Sequence, residues 1–286
     1  MEFKVHNIAM PNRGRQELRI WLIELLAYWE GGINTTRLRH YFDVSRQQAS
    51  SDLNLYQKSR PKNLHYSQSF KRYEPTSTFT FLAINGTADE YLQWLTTGRK
   101  PEQYCTPTLS FETIKIPSRQ ISPTILRTLI RAIETNQRVE VDYRSISSGD
   151  SDGRIIAPHA LVKTSARWHI RAWCEKRKQF RDFVLSRFQG EAELLGASKN
   201  NKISDKGWNT LLTIRIQADE RLSSKKRAIL EFDHSMINGV LSIECRACFT
   251  HYILQDLNVS IHEQHHNPEV QQLVVINKEE IESWLF

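Results

Sequence analysis

The hydrophobic period of this chain changes at Arg138, and that change limits its fold more than any other feature. Upstream, apolar residues recur every three or four positions, the spacing of helices that bury one face. From Arg138 onward Val139, Val141 and Tyr143 alternate with Glu140, Asp142 and Arg144, the spacing of a half-buried strand. Such a chain is neither a pure helical bundle nor a pure β-sandwich. It reads as α+β and multidomain, and its 286 residues call for two or three cores.

The first sixty residues spell three helices. Leu18, Trp21, Leu22, Leu25, Leu26 and Trp29 form the inward stripe of the first, which Gly31-Gly32 ends. Asn34 caps a short second helix, Thr35 to Phe42, and Asp43-Val44 makes a tight turn. Ser45 and Gln48 read as a capping box opening a third helix to about Gln57, with Ala49, Leu53 and Tyr56 inward. Two short helices braced by a long one is the helix-turn-helix arrangement, whose second helix enters the major groove of DNA. The outward positions of that helix, Arg46, Gln47, Gln48, Ser50, Ser51 and Asn54, all carry groups that hydrogen-bond a base edge or phosphate. Asp52 is its one carboxylate. Asn63 to Tyr73 then alternates like a hairpin, putting Lys71 and Arg72 where a wing would meet phosphate, with Phe79, Phe81 and Leu82 expected to complete the small sheet.

A short helix from Ala88 to Thr97, with Tyr91, Leu92 and Leu95 inward, precedes a polar boundary at Thr96–Pro101. Ser122-Pro123 starts another helix, to Asn136. After the strand at Arg138–Arg144 and the loop at 147–153, further strands are expected at Arg154–Lys163 (interrupted at Pro158), Arg167–Glu175 and Phe180–Phe188. So many short strands in about fifty residues suggest a small bent barrel. On Phe180–Phe188 a period of two puts Arg181, Phe183, Leu185 and Arg187 on one face. Arginines beside core hydrophobes are costly unless paired or bound. With Arg171 and His159 on neighbouring strands and few carboxylates nearby, they suggest an anion pocket, the alternative being a salt-bridge net at the strand ends.

Charge agrees with polyanion partners. Residues 1–76 hold 12 Lys and Arg against 7 Asp and Glu, and residues 138–190 hold 11 against 6, while 191–286 hold 10 against 14. No run approaches the ~20 apolar residues of a bilayer span, the N-terminus lacks the apolar run of a signal peptide, and four cysteines are too few for a disulfide scaffold. A cytoplasmic protein with no membrane partner is expected. Cys245-x-x-Cys248 with His262 and His266 mimics zinc-finger spacing, but the cysteines straddle a strand–helix junction and read as buried small hydrophobes, so no metal is expected. No P-loop, dinucleotide glycine motif, Gly-x-Ser-x-Gly or His-Glu-x-x-His occurs, so no catalytic residue and no enzyme activity are expected. The competing reading is a nucleotide-processing or RNA- or single-stranded-DNA-binding protein using the same arginines.

Val141-Asp-Tyr-Arg-Ser145, Ile156-Ala-Pro-His159, Arg167-Trp-His-Ile170, Ala172-Trp-Cys174 and Phe180-Arg-Asp-Phe-Val-Leu-Ser-Arg187 together resemble the WYL domain of bacterial transcriptional regulators. His169 and Ile170 stand where that family usually has tyrosine and leucine. The Trp-His-Ile-Arg-Ala wording is similar to the phage-defence repressors of the BrxR and CapW type, associated with BREX and CBASS systems. The resemblance covers nearly the whole chain. It implies a winged helix-turn-helix at 1–97, a linker and connecting helix at 98–137, a WYL domain with an Sm- or SH3-like barrel at 138–203, and an α+β WCX dimerisation extension at 204–286. It further implies a homodimeric repressor on an inverted-repeat operator, associated with the nucleoid. Its effector would be a nucleotide or nucleic acid held by Tyr143, Ser145, His159, Arg171, Arg181 and Arg187, with no resident cofactor.

Overall fold

The protein is described by a computed structural model covering residues 12–98, 119–149, 151–261 and 264–285. In chain order it contains α1 (Asn12–Glu30), α2 (Thr35–Phe42), α3 (Arg46–Ser59), β1 (Leu64–Ser67), β2 (Arg72–Pro75), α4 (Ala88–Thr97), α5 (Pro123–Thr135), β3 (Gln137–Arg144) and β4 (Ser151–Lys163). There follow β5 (Trp168–Cys174), β6 (Gln179–Val184), β7 (Phe188–Ala197), α6 (Lys206–Asn209), β8 (Leu211–Ala218), α7 (Ser224–Asp233), β9 (Val240–Arg246), α8 (Thr250–Asp256), β10 (Leu273–Val275) and α9 (Lys278–Ile281). Two compact units emerge: Met1–Ile155 with Leu185–Gly196, and Ile156–Val184 with Ala197–Phe286.

In the first unit α1 is the central post. Every residue from Trp21 to Ala27 is buried, more than one amphipathic stripe accounts for. Asn34 accepts from the Arg37 amide to open α2, and Asp43 closes it in the left-handed region at φ 50°. The wing is a β1–β2 hairpin with Tyr66 opposite Tyr73 and Ser67 opposite Arg72. Ile33 pairs with Tyr73 as an added bridge, fastening the wing to the α1–α2 turn. Gly32 leaves room there for the Arg72 side chain, which a Cβ on it would meet at 2.6 Å and push aside.

Phe79, Phe81 and Leu82 do not extend the sheet as the sequence suggested. Phe79 and Phe81 instead pack on Tyr28 at 5.4 and 5.0 Å between ring centres. The reason is Glu24, fully buried on α1, whose carboxylate accepts the amides of Leu82, Ala83 and Ile84 as well as the Tyr56 hydroxyl. Those amides satisfy a buried charge and are lost to strand pairing. In α4, Trp94 rather than Leu95 turns inward, because the buried Glu90 accepts from the Trp21 indole at 2.7 Å and fixes the helix face.

Helix α5 is capped by Ser122 and ends at Asn136, which takes left-handed geometry at φ 52° and feeds directly into β3. On β3, Val139, Val141 and Tyr143 are buried as alternation requires. Among the described residues the sheet order is β6-β5-β4-β3-β7, and no closure into the expected barrel is seen. Strand β4 runs through Pro158, but its register with β5 slips between Pro158 and Ala160, leaving His159 in a bulge. The expected strand Phe180–Phe188 is broken: β6 stops at Val184, and Leu185–Arg187 make a 3-10 turn into β7. Arg181 lies on β6 and Arg187 in the 3-10 turn, so Arg187 does not share a strand face with Arg181.

The C-terminal part of the second unit is the three-stranded sheet β10-β8-β9, packed through Ile214, Ile216, Leu254, Leu273 and Ile281. Helix α7 buries no residue: Ile229 and Phe232 on it, and Ile237 just beyond, are 67, 88 and 78 % exposed. Among the described residues no helix is long and apolar enough to cross a membrane.

Candidate nucleic-acid interface

Helix α3 presents a polar face because its apolar residues are spent on α1. Ala49, Leu53 and Tyr56 are buried. Gln47, Ser50, Ser51 and Asn54 line one shallow open depression, joined by Leu55 and Lys58. Arg46 is exposed beside them at the first turn. Lys58 was missed by sequence reasoning, although it continues the 47, 51, 54 spacing by one further turn. The capping box forms by half. The Gln48 amide donates to the Ser45 hydroxyl at 3.1 Å, but the Gln48 side chain turns away and donates from Nε2 to Asp52 Oδ1, also at 3.1 Å. Asp52, the one carboxylate of the helix, is fully buried and takes the Arg19 Nε of α1 at 2.6 Å. On the wing, Lys71 is exposed at the turn with φ 48°, whereas Arg72 is half-buried and donates to Glu74 at 3.0 Å. The wing tip Phe70 lies under the guanidinium groups of Arg131 from α5 and of Arg72, 4.3 and 5.3 Å from the ring centre.

The residues expected to hold an anion fall in both units. In the first, Tyr143 is buried edge-on to Phe188 at 5.1 Å, Ser145 exchanges a hydrogen bond with Ser147 at 3.1 Å, and Arg187 is half-buried. In the second, His159 and Arg171 converge on a carboxylate that sequence reasoning had not considered. Asp205, 1 % exposed, accepts from Arg171 Nε at 2.6 Å and Nη2 at 3.1 Å, pairs with His159 Nε2 at 2.9 Å, and accepts the Trp208 amide at 3.1 Å. Arg171 reaches Asp182 as well, at 3.2 Å, and Tyr252 donates to the other oxygen of Asp182. The ring of His159 stands edge-on to Phe180 and Trp208. Burial opposes ionisation of Asp205, yet the His159 and Arg171 hydrogen bonds outweigh it and hold this carboxyl well below the usual range. Burial has the upper hand at Asp182, which is raised despite Arg171. Arg181 and Arg187, by contrast, have no ion pair or hydrogen bond among the described residues. Of the two acidic partners of Arg171, Asp182 lies 11 positions away on the adjacent strand, whereas Asp205 lies 34 positions away, beyond any local pattern.

Cys245 and Cys248 carry free thiols, with burial pushing the Cys248 thiol up to about 12. His262 lies outside the described residues. Among those that are described, no three His, Cys, Asp or Glu side chains group as metal ligands.

Comparison with known proteins assigns each segment. The BrxR transcriptional regulator winged helix-turn-helix domain matches residues 15–97, the WYL domain residues 124–192, and the BrxR transcriptional regulator C-terminal dimerization domain residues 211–281. The DNA-binding transcriptional repressor CapW of Escherichia coli (strain KTE188) is 35% identical over 274 residues, covering 94% of this chain and 91% of its own. The protein of the same name from Pseudomonas aeruginosa is 32% identical over 274 residues, with the same coverage of both chains. That from Stenotrophomonas maltophilia is 31% identical over 278 residues, covering 96% and 93%. Among solved structures, proteasome accessory factor B/C (PafBC) of Arthrobacter aurescens aligns with 95% of this chain and 46% of its own at 14% identity and a TM-score of 0.30, too distant to carry an argument. The chain therefore belongs to the BrxR and CapW family of WYL-domain, DNA-binding transcriptional repressors.

Proposed function

We propose that this protein is a homodimeric repressor of a phage-defence operon, acting at the nucleoid in the cytoplasm. It binds an inverted-repeat operator through α3 and the wing, and a nucleotide or nucleic-acid effector taken up by the WYL domain relieves it. The observation that carries the reading is the exposed face of α3. Arg46, Gln47, Ser50, Ser51, Asn54 and Lys58 are free to meet DNA, in a chain whose relatives are named DNA-binding repressors. One such face spans few base pairs, so adequate specificity calls for two copies on two half-sites. Arg181 and Arg187 each support the effector reading, since a guanidinium group without an acceptor among the described residues suits a phosphate-bearing ligand. Tyr143, Ser145, His159 and Arg171 complete the set that the family resemblance implies. The protein acts as a regulator and not as an enzyme.

The test is a footprint of the purified full chain on the DNA upstream of its own gene, with the oligomeric state measured in parallel. Two protected half-sites bound by a dimer are expected. A monomer that footprints a single half-site would overturn the proposal.

A further inference from the structure

Gln48 sits on the third residue of α3 and is only half-buried, yet its amide is not free to turn. Its Nε2 is 3.1 Å from Asp52 Oδ1, and Asp52 is a fully buried carboxylate whose other oxygen takes Arg19 Nε at 2.6 Å. A carboxylate paired with arginine can only accept, so the NH2 of Gln48, and not its carbonyl, must face Asp52. Arg19 is itself only 8 % exposed and held within the body of α1, so the orientation is imposed from the interior outward.

This accounting leaves a definite remainder. A primary amide has two N–H groups and one carbonyl. One N–H is spent on Asp52, and one N–H and the carbonyl remain. That donor–acceptor pair is what matches adenine, whose major-groove edge offers N7 as acceptor and the N6 amino group as donor. Guanine offers two acceptors in the same place and would leave the Gln48 carbonyl facing an oxygen or nitrogen lone pair. A glutamine free to rotate could turn its NH2 to guanine; this one cannot.

We infer that Gln48 reads an adenine in each half-site and that Arg19 and Asp52 are the positioning residues that fix the hand of its amide. The inference rests on the reading of α3 as the DNA-recognition helix. It adds to that reading the base and the buried pair that selects it.

The experiment is selection from a pool of randomised double-stranded DNA by the full chain and by variants, with the enriched sequences read out. Wild type should enrich an inverted repeat with one strongly preferred adenine per half-site near the α3 N-terminus. Gln48→Ala should lose preference at that pair alone, lowering discrimination there by about 5–150-fold, and Gln48→Glu should shift it toward cytosine, whose N4 amino group donates. Asp52→Asn, whose amide can offer either a donor or an acceptor, should broaden the same position to adenine or guanine. Arg19→Lys, which keeps a cation on Asp52, should retain more of the adenine preference than Asp52→Asn. Mere destabilisation would lower recovery at every position equally and leave the base profile unchanged. A Gln48→Ala profile identical to wild type would overturn the assignment. A relaxed Gln48→Ala profile beside an unchanged Asp52→Asn profile would overturn the positioning role, and should Asp52→Asn fail to fold, the Arg19→Lys profile decides that point. Failure of wild type to enrich any sequence would defeat the DNA-recognition reading itself.

Discussion

Replacing Arg171 by alanine tests how far the buried Arg171–Asp205–Asp182 cluster holds this part of the protein together. Its side chain is 9 % exposed, between Asp205 at 1 % and Asp182 at 9 %. Removing the cation leaves two buried carboxylates, one with His159 as its remaining side-chain partner and one with Tyr252. Breaking a buried pair from one side costs about 3–5 kcal/mol, chiefly the penalty of the stranded charge. The assay is amide hydrogen exchange resolved to peptides spanning β5 and residues 202–209, because global unfolding of a two-unit chain need not be two-state. Exchange there should accelerate by roughly two orders of magnitude or more, at about 1.4 kcal/mol per decade. The pH dependence has a definite sign. In the wild type Asp205 is depressed, so its contribution is complete above the ordinary carboxylate value of 3.8 and is lost as pH falls through the lower folded-state value. In the variant both carboxylates are buried without the guanidinium, their folded-state values rise, and protonation relieves them. The deficit of Arg171→Ala should therefore shrink as pH falls from 7.5 toward 5. Arg181→Ala, with no partner to strand among the described residues, should change exchange by less than the equivalent of about 0.5 kcal/mol. An Arg171→Ala protein with near-native exchange in these peptides would refute the structural role of the cluster.

Further outcomes follow from the same geometry. Arg46→Ala should cost about 1–3 kcal/mol on the cognate operator and relax preference at one base pair, measured by competition binding with single-position operator variants. Lys71→Ala should weaken all sequences alike and make the logarithmic salt dependence shallower by about one unit, which salt titrations of binding report directly. Phe232→Glu, on the helix that buries nothing, should shift the protein toward monomer in sedimentation, and an unaltered dimer would place the contact elsewhere. Arg181→Ala combined with Arg187→Ala should keep operator binding while abolishing release by short oligonucleotides or cyclic oligoadenylates; loss of DNA binding by a folded double variant would assign these arginines to the DNA surface instead.

Local signals in the sequence were the informative ones. The caps at Asn34, Ser45 and Ser122, the inward set of β3 and the outward face of α3 follow from spacing and from single-residue chemistry. What spacing does not carry is the choice of partner for a charged group. The partner of Asp52, Arg19, lies 33 positions earlier, and Arg171 takes Asp205 from 34 positions later in addition to the nearer Asp182. Glu24 likewise decides that residues 82–84 serve a buried carboxylate instead of a strand. The strand read through Phe188 fails for a related reason. The 3-10 turn at Leu185–Arg187 leaves the strand at Val184, a break that the alternation of Arg and apolar side chains conceals.

The junction at Asn136 has a consequence for the thermodynamics of DNA binding. Helix α5 packs on α1, stacks Arg127 over Tyr28 and Arg131 over the wing tip, and passes into β3 through one left-handed residue. The reading head is thus moored to the start of the sheet, with no slack between α5 and β3. A head on a slack tether would forfeit on docking the freedom of every backbone torsion it had been exploring, at about 1–2 kcal/mol per residue ordered. Here that loss is met when the chain folds and is not incurred again when the head docks. By the same reasoning, loosening the Arg131–Phe70 stack would register as an entropic loss at the operator with every base contact still in place.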